Sequence, residues 1–175
     1  MADKTPMTLE RAIQTAIVYE TNVRDLYQDA ADKATEEVGK KIFEVLAREE
    51  QGHLDYLMSR FDEWERTGTI ESPALATILP SREQIAAGLD ELSETLETRD
   101  WSVELDLLRK ALLAESTTGE FYKRMVAELD AAGQKLFRPF VEIEDAHYDL
   151  VQAQIDALNG MGFWFEVMEF DLEAG

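Results

Sequence analysis

The stretch GKKIFEVLAREEQGH (39–53) returns 94 residues later as GQKLFRPFVEIEDAH (133–147), with Gly39, Lys41, Phe43, Glu50 and His53 matched by Gly133, Lys135, Phe137, Glu144 and His147. Around each copy the apolar positions keep one rhythm. The first gives Phe43, Leu46, Glu50, His53, Leu57, Phe61 and Trp64. The second gives Phe137, Phe140, Glu144, His147, Val151, Ile155 and Leu158. Both run in steps 3-4-3-4-4-3, the spacing of one face of an α-helix. In each stripe a Glu-x-x-His pair replaces two apolar residues. Residues three apart on a helix share a face, so each pair aims one carboxylate and one imidazole in the same direction.

Working outward, the residues before each copy repeat as well. Leu9, Ile13, Ala16, Glu20, Val23, Tyr27, Ala30 and Ala34 form a heptad stripe with a glutamate in its middle. Leu105, Leu108, Leu112, Glu115, Gly119, Tyr122, Val126 and Leu129 form another, in which a tyrosine again follows the glutamate by seven. The chain thus reads as two helical hairpins. The long helices are expected over residues 8–34, 36–66, 102–129 and 132–158, with Thr8 as the first N-cap. Asn159-Gly160 stops the last, and Pro139 predicts a kink or irregular first turns within it. No run alternates with period two, so no strand is expected. The predicted fold is all-α: a four-helix bundle over residues 8–158 with pseudo-twofold symmetry. Its crossover spans 67–100, with a loop at 67–80 and a short helix at 81–97, where Ser81 and Gln84 form a capping box. An aromatic tail, 159–175, is expected to pack on its own bundle, with a homodimer contact as second choice.

Composition narrows the chemistry. The chain has 175 residues, enough for one domain with a full core. Lys and Arg number 17 against 37 Asp and Glu, a net charge of −20, which disfavours nucleic acid and anionic membranes as partners. There is no cysteine, which excludes disulfides, thiol catalysis and Cys-ligated metals. A metal held by carboxylate and imidazole is still open. The N-terminal MADKTPMTLERA has no apolar signal core and no stretch approaches a membrane span, so a cytoplasmic location is expected.

Any single glutamate in such an acidic chain is as readily a surface residue as a core one, and a lone histidine is ordinarily a satisfied core residue. The set argues otherwise. The chain has two histidines, and both follow a glutamate by three within a core stripe. Four unpaired carboxylates at one level of a bundle would repel one another and lose several kcal/mol each by burial. Two divalent cations would cancel their four charges. Two carboxylates can then bridge the ions while the other two and the histidines complete each side. Tyr27 and Tyr122 read more simply as core aromatics with a satisfied hydroxyl, and alternatively as groups that hydrogen-bond metal-bound species or pass electrons, a catalytic role.

Glu-x6-Tyr on the first and third helices with Glu-x2-His on the second and fourth resembles the ferritin-like di-iron superfamily, which includes the rubrerythrins and bacterioferritins. The resemblance covers all four long helices. It implies a ferritin-like bundle whose metal ligands are Glu20, Glu50, His53, Glu115, Glu144 and His147. In it Glu20 and Glu115 are terminal carboxylates, Glu50 and Glu144 bridging ones, and each histidine binds one iron. It also implies that Glu49, just before a bridging glutamate, orients His147. Ile143 at the equivalent place cannot do the same for His53, which leaves His53 to another partner or to water. Departures matter too. Rubrerythrins carry a further glutamate where this chain has Thr118, which puts their iron movement in doubt here. Gln51 stands where bacterioferritins have their haem-binding methionine, so no haem is expected. The four cysteines of a rubredoxin domain are missing.

The leading expectation is a rubrerythrin-like di-iron oxidoreductase that reduces peroxide or O2 with electrons from an external, rubredoxin-like donor. Its alternatives are a ferritin-type ferroxidase that stores iron and a non-catalytic bundle held together by metal. Manganese or zinc could replace iron, and manganese catalase chemistry also lies within the superfamily.

Overall fold

The structure, a computed structural model, describes residues 7–71, 74–77 and 100–159. Among these residues there are four long helices and no strand. Helix α1 (Leu9–Lys33) starts where Thr8 Oγ1 accepts the Arg11 N–H at 3.2 Å, the N-cap expected there. Helix α2 (Glu37–Thr67) ends at Gly68, whose φ of 68° and N–H bond to Trp64 O make a left-handed cap. Helix α3 (Ser102–Glu128) follows the crossover. Helix α4 (Ala131–Leu158) starts on Asp130, whose side chain accepts the Gly133 N–H at 3.0 Å. These bounds fall within a residue of those expected from the stripes. Pro139 lies inside α4, and helical backbone continues on both sides of it. Proline removes the donor for the Lys135 carbonyl, and Lys135 is on the solvent side, where water can replace it. The expected short helix at 81–97 and the aromatic tail from 160 onward lie outside the described residues.

α1 packs along α2, and α3 along α4, giving the two hairpins. The hairpins meet with α1 against α3. These two helices are antiparallel, since Tyr122 of α3 bonds Glu20 of α1 while Tyr27 of α1 bonds Glu115 of α3. The buried apolar residues fall into two clusters. One holds Val23, Tyr27, Phe43, Leu46, Leu108 and Val151 among others. The second holds Ile13, Leu57, Tyr122, Met125, Phe137 and Phe140. Between them the bundle buries Glu20, Glu50, His53, Glu115, Glu144 and His147. The core is therefore two apolar blocks with a polar level between.

The α3 stripe needs correction. Leu105, Leu112 and Val126, expected inside, are half-buried, while Leu107, Ala111 and Met125 are buried. At the start of the helix the shift goes with Glu104, which is wholly buried. Its Oε1 accepts the backbone N–H of Thr35 at 2.7 Å and of Glu36 at 3.0 Å, and the Thr35 hydroxyl at 3.0 Å. The carboxylate ties the α1–α2 turn to α3. Gly39, in the first turn of α2, gives it room: a Cβ there would lie 2.9 Å from Glu104 Cγ. Gly133, its counterpart in the repeat, is closed more tightly, with a Cβ landing 2.6 Å from Leu129 Cβ.

Two glycine substitutions should therefore move stability in opposite directions. Gly133→Ala forces backbone-fixed atoms apart and should lower stability by about 1–3 kcal/mol. Gly52→Ala, on an exposed helix position with nothing within 4 Å, should raise it by about 0.5–1 kcal/mol. Thermal unfolding of the two variants measures both. A stable Gly133→Ala protein would show that the turn can open without cost.

Candidate metal centre

All four helices contribute to the polar level. α1 brings Glu20, α2 brings Glu50 and His53, α3 brings Glu115, and α4 brings Glu144 and His147. Each is at most 1% exposed. The six residues expected from the spacing are thus brought together. The helical period explains this, because a residue in register with buried neighbours three and four positions away must be buried with them.

Both imidazoles turn Nδ1 toward carboxylates. His53 Nδ1 lies 3.2 Å from Glu50 Oε2, 3.3 Å from Glu20 Oε2 and 3.9 Å from Glu144 Oε1. His147 Nδ1 lies 2.9 Å from Glu50 Oε1 and 3.6 Å from Glu115 Oε2. Glu50 therefore presents one oxygen to each histidine, the posture of a carboxylate shared between two positions. Donor atoms of Glu20, Glu50, His53 and Glu144 gather within 4.8 Å of one another, and so do those of Glu50, Glu115 and His147.

Many of these atoms lack a partner. Glu50 Oε1, Glu115 Oε2, both oxygens of Glu144, both ring nitrogens of His147 and Nε2 of His53 make no hydrogen bond. The 2.9 Å approach of His147 to Glu50 does not have hydrogen-bond geometry. Each unsatisfied buried polar group costs about 1–3 kcal/mol, and more when charged. Converging, unpartnered oxygen and imidazole donors are what a divalent cation needs, and the set fits two such ions. This buried Glu/His cluster is consistent with a ferritin-like di-metal site in the bundle core.

The tyrosines cross the bundle in a reciprocal pair. The Tyr27 hydroxyl donates to Glu115 Oε1, and the Tyr122 hydroxyl donates to Glu20 Oε1. Each therefore fixes one oxygen of a carboxylate on the opposite hairpin and leaves the other oxygen facing the histidines. Burial and the neighbouring carboxylates raise both phenols well above their ordinary value, so they stay protonated as donors. Tyr122 also stacks on Phe140, with ring centroids 4.7 Å apart, and Phe140 meets the edge of His53.

Spacing did not reveal that Glu49 reaches both histidines or that Thr77 holds it. Glu49 lies near both histidines: its Oε1 is 3.9 Å from His147 Nε2, the expected neighbour, and 3.7 Å from His53 Nε2. Thr77, in the crossover, donates its hydroxyl to the same oxygen. Nothing in a single threonine of a loop marks it as part of a site. Thr118, one turn after Glu115, is buried with its hydroxyl unpartnered.

Without metal, the cluster holds protons. Burial, then the charge of Glu50, pushes the Glu20 carboxyl from 4.5 up to about 8. Burial and the charges of Glu20, Glu115 and Glu50 raise Glu144 well above its usual range. Burial opposes charge on the histidines, but the glutamates outweigh it and hold both well above their ordinary value. Burial also acts to raise Glu50, yet the two histidines overcome it and keep this carboxyl low.

The metal-free folded protein thus retains protons on Glu20, Glu144 and the histidines that the unfolded chain releases at lower pH. The stability Glu20 contributes is whole below about 4.5 and drains away as pH rises toward about 8, and the raised Glu144 and histidines act in the same direction. Glu50 acts in the opposite sense, below its ordinary range. The melting temperature of metal-free protein should therefore fall between about pH 5 and about pH 8, and divalent metal should raise it most at the upper end. A metal-free melting temperature that is flat across this window would contradict the burial of these carboxyls.

No helix among the described residues is long and apolar enough to cross a membrane. Comparison with known protein families, with curated proteins and with solved structures finds no match to this chain.

Proposed function

We propose that this protein is a rubrerythrin-like di-iron oxidoreductase that reduces peroxide or O2 with electrons from a separate donor protein. The observation that carries the reading is the convergence of four buried carboxylates and two imidazoles whose inward atoms lack partners. In this reading Glu20 and His53 would hold one metal, Glu115 and His147 would hold the other, and Glu50 and Glu144 would be shared between them. Two bound ferrous ions would supply one electron each, enough to reduce one peroxide to water. Iron suits the donor set, as do manganese and zinc.

The protein's own groups do the rest. Four carboxylates match two divalent ions in charge, so the six-residue ligand set would be neutral when loaded, with the buried Glu49 carboxylate beside it. Carboxylates can shift between one- and two-oxygen binding, which lets the protein follow a change in metal charge without moving its backbone. The tyrosines keep Glu20 and Glu115 from rotating and hold a proton beside each of them. Apolar blocks on both sides exclude bulk water, which strengthens electrostatic interactions within the level. Thr118 stands where rubrerythrins carry a further glutamate, so no additional carboxylate is available there for a metal to move toward. The sequence has no cysteine to hold a rubredoxin-type iron, so in this reading the electrons would come from a separate protein.

Anaerobic protein should take up two equivalents of Fe(II), and adding peroxide should then produce near-ultraviolet absorption with two electrons consumed per peroxide. Uptake of iron with no spectral change on peroxide would leave a metal-stabilised bundle without redox function. Tyr27→Phe should weaken one metal position by about tenfold and Tyr122→Phe the other, since each frees one carboxylate. Competitive metal titration followed at both positions tests this, and equal weakening of both by either variant would break the assignment.

A further inference from the structure

We infer that one carboxylate, Glu49, positions both histidines, and that Thr77 of the crossover in turn holds Glu49. This inference rests on the di-metal reading above and adds a residue outside the ligand set, together with the segment that controls it.

The argument is geometric. Each imidazole turns Nδ1 toward the glutamates, so each presents Nε2 on the opposite side of its ring. The two rings are stacked nearly parallel, 10° apart in plane and 5.3 Å between centroids. Their Nε2 atoms thus run side by side and meet the same atom, Glu49 Oε1, at 3.7 and 3.9 Å. Glu49 is 4% exposed. Both distances are longer than an N–H···O bond of about 2.7–3.2 Å and within reach of an ion pair. Both nitrogens lack any other partner. A histidine that binds metal through one nitrogen needs an acceptor for the N–H on the other, which fixes its tautomer and its angle. Here both rings have the same acceptor available.

The internal repeat shows why it is shared. The position matching Glu49 in α4 is Ile143, which is buried and offers no acceptor. The pseudo-twofold symmetry that governs the six ligands therefore fails at this point, and a single residue serves both halves. Thr77 completes the arrangement. Its hydroxyl donates to the oxygen that faces the two rings, so a segment outside the four helices is bonded to the group that orients them. Loosening the crossover should thus disturb both metal positions together.

Cobalt(II) is a suitable probe, since ring N–H protons of a histidine bound to it give exchangeable, strongly shifted proton resonances. The loaded protein should show two cobalt ions and two such resonances. Glu49→Ile places at 49 the residue type already present at 143. It should shift or abolish both resonances and weaken both cobalt ions about 10–100-fold. Glu49→Gln, which keeps an oxygen, should recover part of this. Thr77→Val leaves the charge in place and should produce a smaller loss, equal at the two positions, that Thr77→Ser restores. A change confined to one resonance would show that Glu49 serves a single ring and overturn the inference while the di-metal reading stands. Weaker cobalt binding with both resonances unchanged would reduce Glu49 to a nearby charge and overturn it as well. Fewer than two cobalt ions in the unsubstituted protein would overturn the di-metal reading, and this inference with it.

Discussion

Putting carboxylates in the middle of a helix bundle is the constraint to which the rest of the structure answers. A carboxylate taken from water without compensation costs several kcal/mol, and Glu20, Glu50, Glu115 and Glu144 lie at one level. Without metal the level can ease this by taking up protons, as the raised Glu20 and Glu144 show. In the di-metal reading cations would relieve it instead, with the same atoms as ligands, so protons and cations would compete for one cluster. Other features follow from this: the aromatic groups that fix single oxygens, the apolar blocks on each side, and the histidines turned inward through the same nitrogen.

Most of the site was legible in the sequence because its rule is one-dimensional. A helix repeats every 3.6 residues, so charged residues in register with leucines and phenylalanines must be buried with them. Glu20, Glu50, His53, Glu115, Glu144 and His147 all follow this rule, and the structure brings them to one level. Features that depend on how helices meet were less visible. The tyrosines were placed in the core correctly, but their reciprocal bonds to the opposite hairpin depend on α1 and α3 running antiparallel at a set register. Glu49 was matched to His147 alone, because the closeness of the two rings is a tertiary fact. Thr77 gave no signal at all.

The α3 face is an instructive miss. The segment ELDLLRKALLA (104–114) has leucines at 105, 107, 108, 112 and 113, which allow two apolar stripes about one residue apart. A stripe through Leu105 and Leu112 leaves Glu104 off the apolar face. The structure keeps Leu108, Glu115, Gly119, Tyr122 and Leu129 of the expected stripe buried and adds Leu107, Ala111 and Glu104, whose carboxylate finds two backbone N–H groups and a hydroxyl in the α1–α2 turn. Buried carboxylates thus occur at two places among the described residues, at the polar level between the apolar blocks and at the turn, where backbone donors far away in sequence are the partners.

The crossed tyrosine bonds also bear on how the chain comes together. They join residues 88 and 102 positions apart, whereas within each hairpin the two helices are joined by a short turn. Closing a loop of that length carries an entropy cost that the short turns largely avoid. Each hairpin can therefore assemble from local contacts, while the polar level exists only once the two have docked. Half of its carboxylates and one histidine come from each side. In secreted proteins a long loop of this kind is often closed by a disulfide. Here, in a chain without cysteine, two phenol–carboxylate bonds span it, so the contacts that join the hairpins are also those that hold Glu20 and Glu115 in place.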